Sequence, residues 1–183
     1  RVVVEAEDGD DVDIPASLLA PGLKITVQNV TIPEDLRPVV ELMATDNKGN
    51  VVAKSELSDI RVILDYLQPG ENGETERYLS YTTTTENPDG IAGNEDDRTQ
   101  ATYDGARLNG LTQSADGTLT YRFTSAIPAD YDASLTHQVG IQASRTYATD
   151  GVGYPVNALY VFRPDGADVT ETKEVSDTAT CNE

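Results

Sequence analysis

Asp116-Gly117-Thr118-Leu119-Thr120-Tyr121-Arg122-Phe123-Thr124 is the clearest hairpin signal in the chain. Asp-Gly supplies a turn in which glycine takes a positive φ at no steric cost. A strand sends successive side chains to opposite faces, so Leu119, Tyr121 and Phe123 share one face while Thr118, Thr120, Arg122 and Thr124 share the other. Pro128 marks the end of the run.

The same two-residue period recurs on both sides of this hairpin. Towards the C-terminus, His137, Val139, Ile141 and Ala143 alternate with Gln138, Gly140 and Gln142, and Ala158, Tyr160 and Phe162 repeat the pattern before Pro164-Asp165-Gly166. Val169 to Val175 is the last strand candidate. Towards the N-terminus, Ile25 and Val27 alternate with Thr26 and Gln28, and Val40, Leu42 and Ala44 alternate with Glu41 and Thr45, with Pro33 and Pro38 between the two runs. Asp46-Asn47-Lys48-Gly49-Asn50 reads as a turn that returns through Val51 and Val52. Ile60 to Leu67 is almost continuously apolar, which suits a central strand, with helix as the competing reading. Tyr78 to Thr85 has the aromatic and β-branched composition of a strand. About eight strands and no convincing amphipathic helix predict an all-β antiparallel domain over residues 23–176, either a sandwich or a Greek-key barrel. Residues 1–22 read as an acidic extended leader with one edge strand, and residues 177–183 as a linker.

A chain of 183 residues suits one domain with a real core. Its 13 basic and 32 acidic residues give a net charge of −19, which repels polyanions and anionic membrane surfaces, so nucleic acid is excluded as a partner class. No apolar run is long enough to span a bilayer. Dispersed Asp and Glu with many Thr, Tyr and Gly match a secreted or surface domain of a bacterium, although a single cysteine excludes an internal disulfide framework. The acidic start lacks a signal-peptide pattern and reads as a processed end.

The candidate sites are few. The cluster Glu7 to Asp13 and the stretch Glu86 to Asp97 both carry oxygen ligands that suit Ca²⁺. In the second, Asn87, Asp89 and Gly90 match half of an EF-hand-like loop and Asn94, Asp96 and Asp97 follow, but Thr85 stands where that loop begins with aspartate. A long solvated loop is the alternative reading. His137, the only histidine, falls on an apolar strand face, where it serves either as a hydrogen-bonded core or rim residue or as a metal or haem axial ligand. No nucleophile elbow, phosphate-binding glycine loop or zinc spacing occurs, and His137 and Cys181 lie 44 positions apart, so the chain reads as non-catalytic. Cys181-Asn182-Glu183 supplies the first three positions of the C-x-x-C-H motif that attaches a c-type haem.

Several runs together resemble the N-terminal β-domain of the OmcA/MtrC family of decahaem c-type cytochromes. They are Val30-Thr-Ile-Pro33 with Arg37-Pro-Val-Val40, Thr45 to Asn50, Asp116 to Phe123, Leu135 to Gln142, Tyr160 to Gly166 and Asp177 to Glu183. The resemblance covers roughly residues 23 to 183. It implies a haem-free scaffold and interaction domain, a Greek-key split barrel, ahead of a multihaem domain on the outer-membrane surface of a metal-reducing bacterium. Cys181 would be the first thioether cysteine of the first haem c, and the partners would be the downstream multihaem domain, porin-cytochrome components or mineral surfaces. Electrons would pass to external acceptors such as metal oxides from haems beyond this chain. The motif's second cysteine and histidine do not occur here, nor does the cysteine pair that some relatives carry within the domain. The alternative is an immunoglobulin-like cell-surface binding or adhesion module, stabilised by calcium.

Overall fold

The structure is a computed structural model that describes residues 2–5, 11–14, 20–70, 76–147 and 151–173. The strands in chain order are β1 (Val2–Glu5), β2 (Asp11–Ile14), β3 (Lys24–Thr31), β4 (Val39–Thr45), β5 (Leu57–Gln68), β6 (Arg77–Ser80), β7 (Thr83–Glu86), β8 (Arg98–Ala101), β9 (Leu111–Gln113), β10 (Leu119–Arg122), β11 (His137–Thr146) and β12 (Gly153–Phe162). Eight of these form two antiparallel four-stranded sheets, ordered β3-β4-β10-β9 and β12-β11-β5-β6. In immunoglobulin lettering the first is A-B-E-D and the second is G-F-C with one strand added beside C. Of the two architectures that the alternation leaves open, the sandwich is the one formed. The two sheets stay separate among the described residues, so they form no closed barrel.

The apolar face read around Asp116-Gly117 is the face that packs. Leu119 and Tyr121 on β10 meet Val40, Leu42 and Ala44 on β4, and together they close over Ile60, Val62 and Leu64 on β5 and Val139, Ile141 and Ala143 on β11 in one hydrophobic cluster. Each fully buried aliphatic side chain contributes about 1.5–3 kcal/mol relative to exposure, so this alternation is the main source of stability. Gly117 has φ 91°, as the turn requires, and its amide donates to the Ser114 carbonyl at 3.0 Å. A Cβ there would also stand 2.6 Å from Val51.

Two irregularities shift the alternation. A bulge between Val27 and Asn29 reverses the parity of β3, so that Ile25 and Val30, five positions apart, both reach the core. A second bulge, opposite Ser144 and Arg145, lets both Leu57 and Ile60 on β5 face inwards. β5 lies between β11 and β6, so the apolar run Ile60–Leu67 is a central strand and not a helix.

Other expectations are corrected. Tyr78–Thr85 is not one strand: β6 ends at Ser80, and after Tyr81 and Thr82 the chain leaves as β7, which pairs with β8 in a ribbon whose eight residues are all exposed. Residues 169–173 form no strand, while Val175 lies outside the described residues. The acidic leader holds two strands, not one, since β1 and β2 pair with each other. Just ahead of Leu23, Ala20 is buried and the Pro21 carbonyl accepts the Asn47 amide at 3.1 Å.

One buried polar centre holds a connection in place. Asp104 is fully buried, and its carboxylate accepts from the Ala106, Thr124 and Ser125 amides and from the Thr124 and Tyr121 hydroxyls. Burial pushes its pKa up, but the hydrogen bonds led by Thr124 outweigh this and hold it below the usual carboxylate value.

Candidate functional site

The candidate site lies at the end of the sandwich where β11 begins. In register, His137 sits between Tyr66 on β5 and Phe162 on β12. Tyr81 reaches the same place just after β6, anchored by its amide to the Leu64 carbonyl at 3.1 Å, and Tyr131 comes from the β10–β11 connection. The Tyr66 and Tyr81 ring centroids are 4.9 Å apart, Tyr81 stacks on His137 at 5.7 Å, and Tyr131 stands edge-on to His137 at 6.1 Å. An open cavity of about 390 Å³ lies among Tyr66, Tyr81, Tyr131, Pro128, Asp130 and Asp132.

The hydrogen bonds fix the state of the histidine. The Leu135 carbonyl 2.9 Å from Nδ1 can only accept, so Nδ1 carries the proton, and Nε2 accepts from the Tyr81 hydroxyl at 2.7 Å. Burial lowers the His137 pKa, against smaller opposing effects of the Leu135 bond and Asp132. Burial likewise pushes the Tyr81 phenol far up, helped by Tyr66, Tyr131 and Asp132. The pair is therefore neutral at pH 7, and both nitrogens are engaged within the protein.

The sequence-derived oxygen ligands are arranged differently. Asn87, Asp89, Asn94, Asp96 and Asp97 sit on the exposed loop joining β7 to β8. Asp89 accepts from the Ile91 amide at 2.9 Å and the Asn94 side-chain amide at 2.8 Å, Asp97 accepts from the Gly93 amide at 2.6 Å, and Asn94 accepts from the Asp96 amide at 3.0 Å. Among the described residues no group of three or more His, Cys, Asp or Glu is placed to hold a metal ion. The cluster Glu7–Asp13 lies largely outside those residues, and so does Cys181. The described residues thus offer no attachment point for haem.

Sequence reasoning missed Tyr66, Tyr81 and Tyr131, whose convergence depends on register and on a loop. The nearest local signal was Pro128-Ala-Asp-Tyr-Asp132, a turn-forming stretch that places an aromatic between two acids. It also missed a cluster on the outer face of the second sheet. Arg107 and Arg61 both pair with Asp59, at 2.5 and 3.1 Å, and lie over the Tyr103 ring at 5.8 and 5.1 Å.

No family model and no curated protein matches the chain. Solved structures do. The outer membrane decahaem cytochrome OmcA superposes with a TM-score of 0.65 at 19% identity, over 92% of this chain and 26% of its own length. The chain shares the β-domain fold of OmcA and MtrC. MtrC from Shewanella baltica OS185 aligns with a TM-score of 0.60 at 22% identity, over 87% of this chain and 25% of its own. The chain therefore spans about a quarter of the length of each cytochrome that it resembles.

Proposed function

We propose that this chain is a haem-free β-domain of an extracellular multihaem c-type cytochrome, one that positions a haem-bearing domain at the outer-membrane surface. The observation that carries the reading is the superposition of 92% of the chain on about a quarter of OmcA. In this reading the sandwich is a stiff spacer and docking body, and electron transfer to metal oxides or other external acceptors belongs to haems elsewhere in the parent protein. Cys181 forms the first thioether of the first haem, and its covalent partner is a haem vinyl group. His137 is a packing residue, since its two nitrogens bond to Tyr81 and Leu135. Partners are the multihaem domain, porin-cytochrome components and oxide minerals, which the charge of −19 favours when their surface is positive and the ionic strength is low.

Peptide mapping of the parent protein tests this reading. The peptide containing Cys181 is expected to carry a thioether-bound haem. A free thiol at Cys181 in haem-loaded protein would overturn the assignment and favour the rival adhesion module.

A further inference from the structure

We propose that the notch between Tyr66, Tyr81 and Tyr131 is a binding site for an organic cation of the alkylammonium or guanidinium type. The inference rests on the geometry of the notch and is independent of the cytochrome reading. Three tyrosines line one open cavity, and aromatic faces attract cations through the ring quadrupole, more strongly as water is excluded. Each of the three rings is part-buried, so each is held by the fold yet keeps surface towards the opening. Two exposed carboxylates, Asp130 and Asp132, stand at the mouth. Asp132 is oriented by the Ser134 amide at 2.9 Å and its hydroxyl at 2.6 Å, and among the described residues neither carboxylate is in an ion pair.

The surroundings favour the same ligand. His137 behind the rings is neutral and donates inwards to Leu135, and Arg163, whose charge reaches Asp132, is itself paired with Asp165. The volume of about 390 Å³ admits the head of a side chain or a small quaternary amine. A net charge of −19 raises the local concentration of cations around the whole domain. The cation could come from a free amine or from a Lys or Arg side chain of a docking protein, and the recognition chemistry is common to both.

Titration of the isotopically labelled chain by NMR at low ionic strength tests the proposal. The ligands are choline, Nα-acetyl-arginine amide and 3,3-dimethylbutanol, the neutral isostere of choline. Saturable shifts at Tyr66, Tyr81, Tyr131 and Asp132 are expected with a cation and not with the alcohol. Tighter choline binding points to a free amine, and tighter arginine amide binding to a docked side chain. Tyr131→Leu should weaken binding about tenfold while Tyr131→Phe stays within about twofold. Asp132→Asn keeps the shape and the bond to Ser134, and should weaken binding about threefold. Absence of saturable shifts with both cations, equal shifts with the alcohol, or unchanged affinity in Tyr131→Leu would each overturn the site.

Discussion

The two ends of β11 are built on opposite principles. At its start, His137 is neutral, ringed by aromatics and placed behind an open notch. Eight residues on, roughly 26 Å along an extended strand, Arg145 is fully buried. Its Nη1 donates to the Gly22 carbonyl at 3.0 Å and its guanidinium lies 5.5 Å from the Tyr147 ring centroid. Asp46 beside it is also buried; its carboxylate accepts from the Lys48 and Asn50 amides and from the Asn50 side chain at 2.8–3.0 Å. Burial pushes the Asp46 pKa up, but these bonds and the Arg145 charge hold it below the usual carboxylate value. The charged end clamps the point where the chain enters the sandwich. The neutral end has its hydrogen bonds satisfied without being sealed, which leaves aromatic surface available to a ligand.

The largest effect should come from breaking the charged end. Arg145→Met removes the donor to Gly22 and leaves Asp46 without its nearby cation, and should cost about 3 kcal/mol in urea unfolding. A loss below about 1 kcal/mol would show that Arg145 is not a clamp.

His137→Phe should cost less, about 1–2 kcal/mol, because it orphans one hydroxyl and one carbonyl in a part-buried place. Its pH dependence is more diagnostic. The folded pKa of His137 lies below the 6.5 of the free side chain, so the unfolded chain binds the proton more readily. The stability contributed by neutral His137 is fully present above 6.5 and is lost as pH falls from there towards the folded value. Wild type should therefore lose stability on acidification through this window and the Phe variant should not. Equal slopes in the two proteins would contradict a buried neutral histidine.

Asp65 on the outer face of β5 has one oxygen buried without a hydrogen-bond donor, and burial raises its pKa against a smaller effect of Ser80. The sign is the reverse of that for His137: ionised Asp65 costs stability at neutral pH, and wild type recovers it as pH falls through the raised value. Asp65→Asn should raise thermal stability at pH 7 by up to about 1 kcal/mol, with the advantage shrinking in acid. The smallest expected effect is at the β7–β8 ribbon. Both Asp89 oxygens and one Asp97 oxygen already accept hydrogen bonds within the loop, so melting curves in Ca²⁺ and in chelator should coincide.

How much of this was legible depends on the range of the cause. Leu119-Tyr121, Val139-Ile141-Ala143 and Val40-Leu42-Ala44 announce their faces because burial acts on alternate residues of one strand. Asp116-Gly117 announces a turn because only local sterics are involved. The bulge that brings Val30 into the core depends on the partner strand, and the departure of β7 after Thr82 depends on its pairing with β8. Asp11-Val-Asp-Ile14 alternates as a strand should, but its acidity masked the period, and its partner is Val2–Glu5. His137 was legible as an apolar-face residue. The convergence of Tyr66, Tyr81 and Tyr131 was not, because their separations of 15 and 50 positions carry no local signature. Nothing local marks Arg145 for burial, which comes with its bond to the distant Gly22 carbonyl.

Haem distribution tests the central claim most directly. The parent protein would be cleaved by limited trypsin treatment after exposed Lys173, and the absorbance of the separated fragments recorded. The account predicts no Soret band on the fragment ending at Lys173 and a strong one on the fragment that contains Cys181. A Soret band on the former, or none on the latter, would contradict it.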